Sequence, residues 1–177
     1  DLMRKEETGL KDLIVIHPDV HGDNRGWFTE SYHAQKYSEL GIDIDFIQDN
    51  HSFSATKGTL RGLHFQTGEF AQSKLVRCTR GSLYDVAVDL RKDSPTYKKY
   101  FGIVLSEENH LQLFVPKGFA HGFVTLTENT EIQYKVDAYY CKTADGGIRY
   151  DDPDINVDWS KFENHTYICG GYVRDAL

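Results

Sequence analysis

A chain of 177 residues, 40% hydrophobic and 27% charged, can hide about 70% of its unfolded surface, so it holds a core without disulfides or metals and is too apolar for intrinsic disorder. Its 20 Lys and Arg stand against 27 Asp and Glu, a formal charge of −7. That sign argues against nucleic acid or an anionic membrane as partner, because binding phosphates needs a basic field. The longest apolar run, Phe101 to Leu105, falls far short of the ~20 residues that cross a bilayer. Three widely spaced cysteines, Cys78, Cys141 and Cys169, read as free thiols in a reducing compartment rather than as bridges or metal ligands. The expectation is a single acidic domain over residues 1–177 that resides in the cytoplasm.

Apolar residues alternate with polar ones over short runs bounded by Gly, Asp and Asn, which is the pattern of half-buried strands. In chain order the runs are 11–17 and 26–32, then a brief helix over 34–40 closed by Gly41 in the C′ position. Strands are predicted next at 59–66, 73–80, 82–91, 97–106, 111–116, 122–126 and 131–139. Within 82–91 the period of two is plain: Tyr84, Val86, Val88 and Leu90 share one face, and Asp85, Ala87 and Asp89 the other. The same rule over 59–66 puts Arg61, Leu63 and Phe65 opposite Gly62, His64 and Gln66. Beyond Tyr139 the chain reads as loop, with Asp151-Asp152-Pro153-Asp154 as a turn. Many strands and one or two short helices exclude βαβ architecture and predict an all-β sandwich or jelly-roll barrel, whose mouth can hold a ligand.

Two segments carry chemistry. Arg61-Gly62-Leu63-His64-Phe65-Gln66 places a histidine on a strand, and Pro116-Lys117-Gly118-Phe119-Ala120-His121 sets a second between two apolar runs. Either histidine alone reads most simply as a satisfied interior residue or as part of a hairpin turn. Together on a barrel they suggest a metal, as in cupins. His64, however, is followed by Phe65 and Gln66 rather than by a second histidine, and Glu69 alone does not complete a divalent site. Neither a metal nor a cofactor is expected. Without one, His64 suits a general base near neutrality, Lys74 and His121 can stabilise a developing enolate, and a tyrosine on the far side can return the proton.

The ordered motifs resemble the dTDP-4-dehydrorhamnose 3,5-epimerase family of cupin-type sugar-nucleotide epimerases. They include Gly22-Asp23-x-Arg25-Gly26-Trp27-Phe28-x-Glu30-Ser31, Phe46-Ile47-Gln48-Asp49-Asn50-His51-Ser52 and Leu60-Arg61-Gly62-Leu63-His64-Phe65-Gln66. Ala71-Gln72-Ser73-Lys74, Pro116-Lys117-Gly118-Phe119-Ala120-His121-Gly122-Phe123, Tyr134-Lys135 and Asp158-Trp159 continue the series, over about residues 11–159. The resemblance implies a cupin-like jelly-roll barrel that inverts C3 and C5 of a dTDP-4-keto sugar without metal or cofactor. It implies His64 as base, Tyr134 as acid, and Lys74 with His121 at the enolate. Arg25, Glu30, Gln48, Asp49, Asn50 and Arg61 match positions that contact the nucleotide sugar, Tyr140 the residue stacked on the thymine, and Asp145 a position often occupied by Glu. It further implies a homodimer with an exchanged strand, through which Arg25 and Glu30 reach the neighbouring site.

Residues 160–177 depart from the family pattern. The family's aspartate that orients the catalytic histidine is matched only by Asp175 in Arg174-Asp175, with Asp85 as the second candidate partner of His64. That departure leaves two alternatives open. One is an epimerase acting at a single carbon or on another nucleotide's 4-keto sugar. The other is a nucleotide-sugar binding cupin without activity.

Overall fold

The structure, a computed structural model, describes residues 2–160. Its strands are β1 (Arg4–Glu7), β2 (Ile14–His17), β3 (Val20–Asp23), β4 (Gly26–Thr29), β5 (Gln48–Ser54), β6 (Leu60–Gln66) and β7 (Lys74–Arg80). They continue as β8 (Ser82–Asp89), β9 (Tyr100–Ser106), β10 (Gln112–Val115), β11 (Phe119–Thr125), β12 (Thr130–Val136) and β13 (Asp145–Gly147). One helix, α1 (Ala34–Glu39), lies between β4 and β5, and a single 3-10 turn spans Gly68–Phe70. The strands form a six-stranded sheet ordered β1-β2-β10-β7-β12-β5, a five-stranded sheet ordered β13-β6-β11-β8-β9, and the separate hairpin β3-β4. Every pairing is antiparallel.

The two sheets face each other across one core. Val15, Val76, Leu113 and Ile132 from the larger sheet meet Leu83, Ala87, Leu105, Phe119 and Phe123 from the smaller. Both outer faces are covered as well. Tyr37 of α1 and Ile42 lie over Ile14, Ile16, Leu75 and Phe114. Ile148, Ile155, Val157 and Trp159 lie over Leu60, Leu63, Val86 and Val88. This double cover explains why β10 and β11 are buried throughout and carry no alternation of apolar with exposed polar residues. On β8 the predicted faces separate as expected, with Val86 and Val88 beneath Trp159 and Ala87 in the central core. The helix begins where His33 Nδ1 accepts the Lys36 amide at 3.2 Å and ends at Gly41, whose φ of +96° suits its C′ position.

Four strands lacked a sequence signal, each for a local reason. β1 is an Arg-Lys-Glu-Glu edge exposed on both faces, and the short β3 is half-exposed or exposed at each residue. β5 is polar on its cavity face, and its one large apolar residue, Phe53, lies on the solvent face, so no apolar alternation survives. β13 is Asp-Gly-Gly. Several predicted runs are also too long: 131–139 stops at Val136, 26–32 at Thr29, and 97–106 starts at Tyr100.

The predicted alternation along β6 fails in one place. His64 pairs with His121 and Arg61 with Phe123, so two residues of β6 oppose the single Gly122. This bulge turns both Arg61 and His64 toward the same cavity, although strict alternation puts them on opposite faces. The backbones touch here. A Cβ on Gly62, at φ +124°, would lie 2.6 Å from the Gly122 Cα, and one on Gly122 would lie 2.7 Å from the Arg61 carbonyl oxygen.

Candidate active site

Between the sheets opens a cavity of about 500 Å³. One wall is the smaller sheet, which contributes Arg61 and His64 from β6, His121 from β11 and Asp145 from β13. The other wall is the larger sheet, with Asn50 and Ser52 from β5, Lys74 from β7 and Tyr134 from β12. His64 and Tyr134 therefore project from opposite walls.

The electrostatics follow from burial. Desolvation, reinforced by the nearby Lys74 charge, holds the His64 imidazole below the ordinary histidine pKa, so its neutral, basic form dominates at pH 7. No side chain among the described residues hydrogen-bonds it. Burial pushes Lys74 down to about 8, against the pull of Asp85 and Asp145. Its Nζ lies 5.7 Å from the centroid of the Tyr134 ring. Burial raises the Tyr134 phenol, with Asn50 acting in the opposite sense, so the hydroxyl keeps its proton at neutrality. His121 donates from Nε2 to Oδ1 of the fully buried Asp85 at 2.7 Å.

At the rim, Arg61 is tied across to β5 by Nε to Ser54 Oγ at 3.1 Å and by a terminal nitrogen to the Phe53 carbonyl at 3.0 Å. Tyr140 is 58% exposed, with its hydroxyl 3.5 Å from Asp145 Oδ2. The Gln48 amide is spent on protein groups: Nε2 donates to Asn50 Oδ1 at 2.8 Å, and Oε1 accepts the Tyr140 amide at 3.2 Å.

The structure thus brings together His64, Lys74, His121, Tyr134, Asn50, Arg61, Tyr140 and Asp145. Other candidates lie elsewhere. Asp49 alternates away from Asn50 and binds Lys135 Nζ at 2.9 Å on the outer face. Arg25 sits on the β3-β4 turn with Asp23 at 2.6 Å, and Glu30 binds Lys36 at 2.6 Å; neither lines the chain's own cavity. Asp85 pairs with His121, not with His64, because its carboxylate lies beside β11 in the β8 ladder. Asp175 lies outside the described residues.

Sequence reasoning assigned no role to Gln66 or Gln72. Gln66 donates to the carbonyls of Phe70 and Tyr139 at 2.8 and 3.1 Å and accepts the Cys141 amide at 2.9 Å, while Gln72 donates to the Ala138 carbonyl at 2.9 Å. These bonds anchor the segment that carries Tyr140. The face shared by Gln66 and His64 was the available signal. Among the described residues no group of three His, Cys, Asp or Glu gathers as a metal set, and no helix is long and apolar enough to cross a membrane.

A base and an acid on opposed walls, with an ammonium group beside the acid, can move a proton from one face of a carbon acid to the other. Comparison with known proteins agrees with this chemistry. Residues 7–170 match the family model described as dTDP-4-dehydrorhamnose 3,5-epimerase. The dTDP-4-dehydrorhamnose 3,5-epimerase of Salmonella typhimurium is 51% identical over 154 residues, covering 86% of this chain and 84% of that protein. A crystal structure of the Bacillus anthracis enzyme with TDP and PPi bound superposes with a TM-score of 0.87 at 45% identity, covering 94% of this chain and 100% of that one. A Legionella pneumophila dTDP-6-deoxy-D-glucose-3,5-epimerase in complex with dTDP-4-keto-L-rhamnose gives 0.88 at 43% identity, covering 94% and 88%. The jelly-roll barrel predicted from sequence is the fold these structures share with it, and the chain belongs to the dTDP-4-dehydrorhamnose 3,5-epimerase family.

Proposed function

We propose that the protein is an isomerase that converts dTDP-4-dehydro-6-deoxy-D-glucose to dTDP-4-dehydro-L-rhamnose by inverting C3 and C5. The observation that carries this reading is the placement of His64 and Tyr134 on opposite walls of one cavity, with Lys74 beside the phenol. His64 takes the proton from a carbon next to the C4 ketone. The C–H electron pair moves through the new C=C bond onto O4, where the Lys74 ammonium, assisted by His121, stabilises the enolate. Tyr134 then gives its proton to the opposite face of the carbon as the ketone re-forms. Solvent reprotonates the phenolate and removes the proton from His64, and the cycle repeats at the second carbon.

The Arg61 guanidinium at the mouth suits a phosphate oxygen, and the exposed Tyr140 ring suits stacking on a nucleobase. Arg25 and Glu30 serve the site of a second copy in a strand-exchanged homodimer. This is supported by their position outside the chain's own cavity and by Trp27 and Phe28, 60% and 66% exposed on the same hairpin. Free thiols at Cys78 and Cys141 accord with a reducing, cytoplasmic setting.

Proton NMR of dTDP-4-dehydro-6-deoxy-D-glucose incubated with the protein in D₂O tests the proposal. The expected result is loss of both the C3–H and C5–H signals together with formation of the L-rhamno product. Exchange at neither carbon overturns the reading, and exchange at one alone replaces it with a single-carbon epimerase.

A further inference from the structure

The proton path described above gives no role to the one fully buried carboxylate next to the cavity. Asp85 is 0% exposed, and its Oδ1 accepts the His121 Nε2–H at 2.7 Å. Its Oδ2 is buried without a hydrogen-bond partner. Its ladder partners, Phe123 on β11 and Ile103 on β9, are apolar. A carboxylate in such surroundings is costly unless nearby cations compensate it. The groups at hand that can carry positive charge are His121, hydrogen-bonded to it, and Lys74.

We propose that Asp85 is a positioning residue that makes His121 and Lys74 a matched pair of charged donors for the oxygen that becomes the enolate. With Nε2–H committed to Asp85, Nδ1 is the ring's remaining polar atom. It donates to an oxyanion only in the imidazolium form, for which Asp85 is the counter-charge. Lys74 is faced by Asp85 from β8, Asp145 from β13, His64 from β6, His121 from β11 and Tyr134 from β12. Of these, Asp85 opposes the loss of the ammonium proton most strongly. One buried carboxylate thus supports both donors while touching neither substrate nor the reacting atoms.

The kinetic arm of the test rests on the epimerase reading; the spectroscopic arm does not. In wild-type protein saturated with thymidine diphosphate, ¹⁵N NMR should find both His121 ring nitrogens protonated at pH 7. A neutral ring, with either nitrogen unprotonated, overturns the proposal whether or not the protein is an epimerase, and this measurement needs no variant to fold. In Asp85→Asn, the alkaline limb of kcat should move down by at least one pH unit, giving a loss of about fivefold or more at pH 8. Affinity for thymidine diphosphate should stay within twofold. A variant with an unmoved pH profile, or one whose loss of activity is the same at every pH, assigns Asp85 to packing alone and contradicts the proposal.

Discussion

His64 and Lys74 answer to the same burial with opposite consequences for catalysis. Desolvation lowers both, which frees the imidazole to act as a base at pH 7 but brings the ammonium down to about 8. The expected kcat profile is a bell. It falls on the acid side as His64 gains a proton below the ordinary histidine range, and on the alkaline side near pH 8 as Lys74 loses one; a plateau extending past pH 9 would show that Lys74 is not needed as a cation. His64→Ala should reduce solvent exchange at both carbons by about 10²–10⁴-fold, measured by deuterium incorporation, because the other imidazole on that wall, His121, is paired with Asp85. At this scale the sequence was informative where chemistry restricts the choice of residue, as at His64, His121, Lys74 and Tyr134. It was uninformative for side chains whose direction depends on their neighbours. Asp49 and Asn50 are adjacent polar residues that only the pleat of β5 assigns to opposite faces.

The contact between β6 and β11 decides where the base stands. Both strands needed glycine at the crossing, and a methyl on Gly62 would meet the Gly122 backbone. Gly62→Ala should therefore cost about 3 kcal/mol through the positive φ and the overlap, seen as a lower urea midpoint, and should reduce kcat more than it weakens nucleotide binding. The loop after β8 depends on another device. Burial alone would raise the Asp89 carboxyl, but hydrogen bonds from Arg91, Ser94 and Thr96 outweigh it and hold the group at about 2. A folded-state value below the ordinary 3.8 means the stabilisation is complete above about pH 4 and is lost as pH falls toward 2. Asp89→Asn should lower stability by about 2 kcal/mol at pH 7, with the difference from wild type shrinking through that acid window in urea titrations. Strands with one apolar face were legible from period alone. β5 and the β6 bulge were not, because a strand that lines a polar cavity loses its hydrophobic alternation and a bulge resets it.

For the molecule as a whole, the cavity supplies its chemistry from both sheets, while Arg25 and Glu30 point away from it on the β3-β4 hairpin. The proposed exchange makes a specific demand. Mixing Arg25→Ala and His64→Ala chains, each nearly inactive alone, should restore about a quarter of wild-type activity on random dimerisation, since one site in each hybrid is complete. No recovery, with hybrid dimers shown to form, would place Arg25 in its own chain's site or in none. The all-β sandwich or barrel was legible from alternating runs and turn residues, and the motifs narrowed it to the jelly roll, but no pattern in one chain's sequence states which copy completes a site. What unites the three scales is the proposed path, in which a sugar ring between the walls loses a proton to one and regains it from the other. The most direct measurement is the fate of substrate in D₂O with Tyr134→Phe. Deuterium should enter C3 or C5 with the original configuration retained, as His64 returns an exchanged proton to the same face, and inverted product should be slowed by about 10²–10⁴-fold. Inverted product appearing at the wild-type rate would contradict the opposed acid and the account built on it.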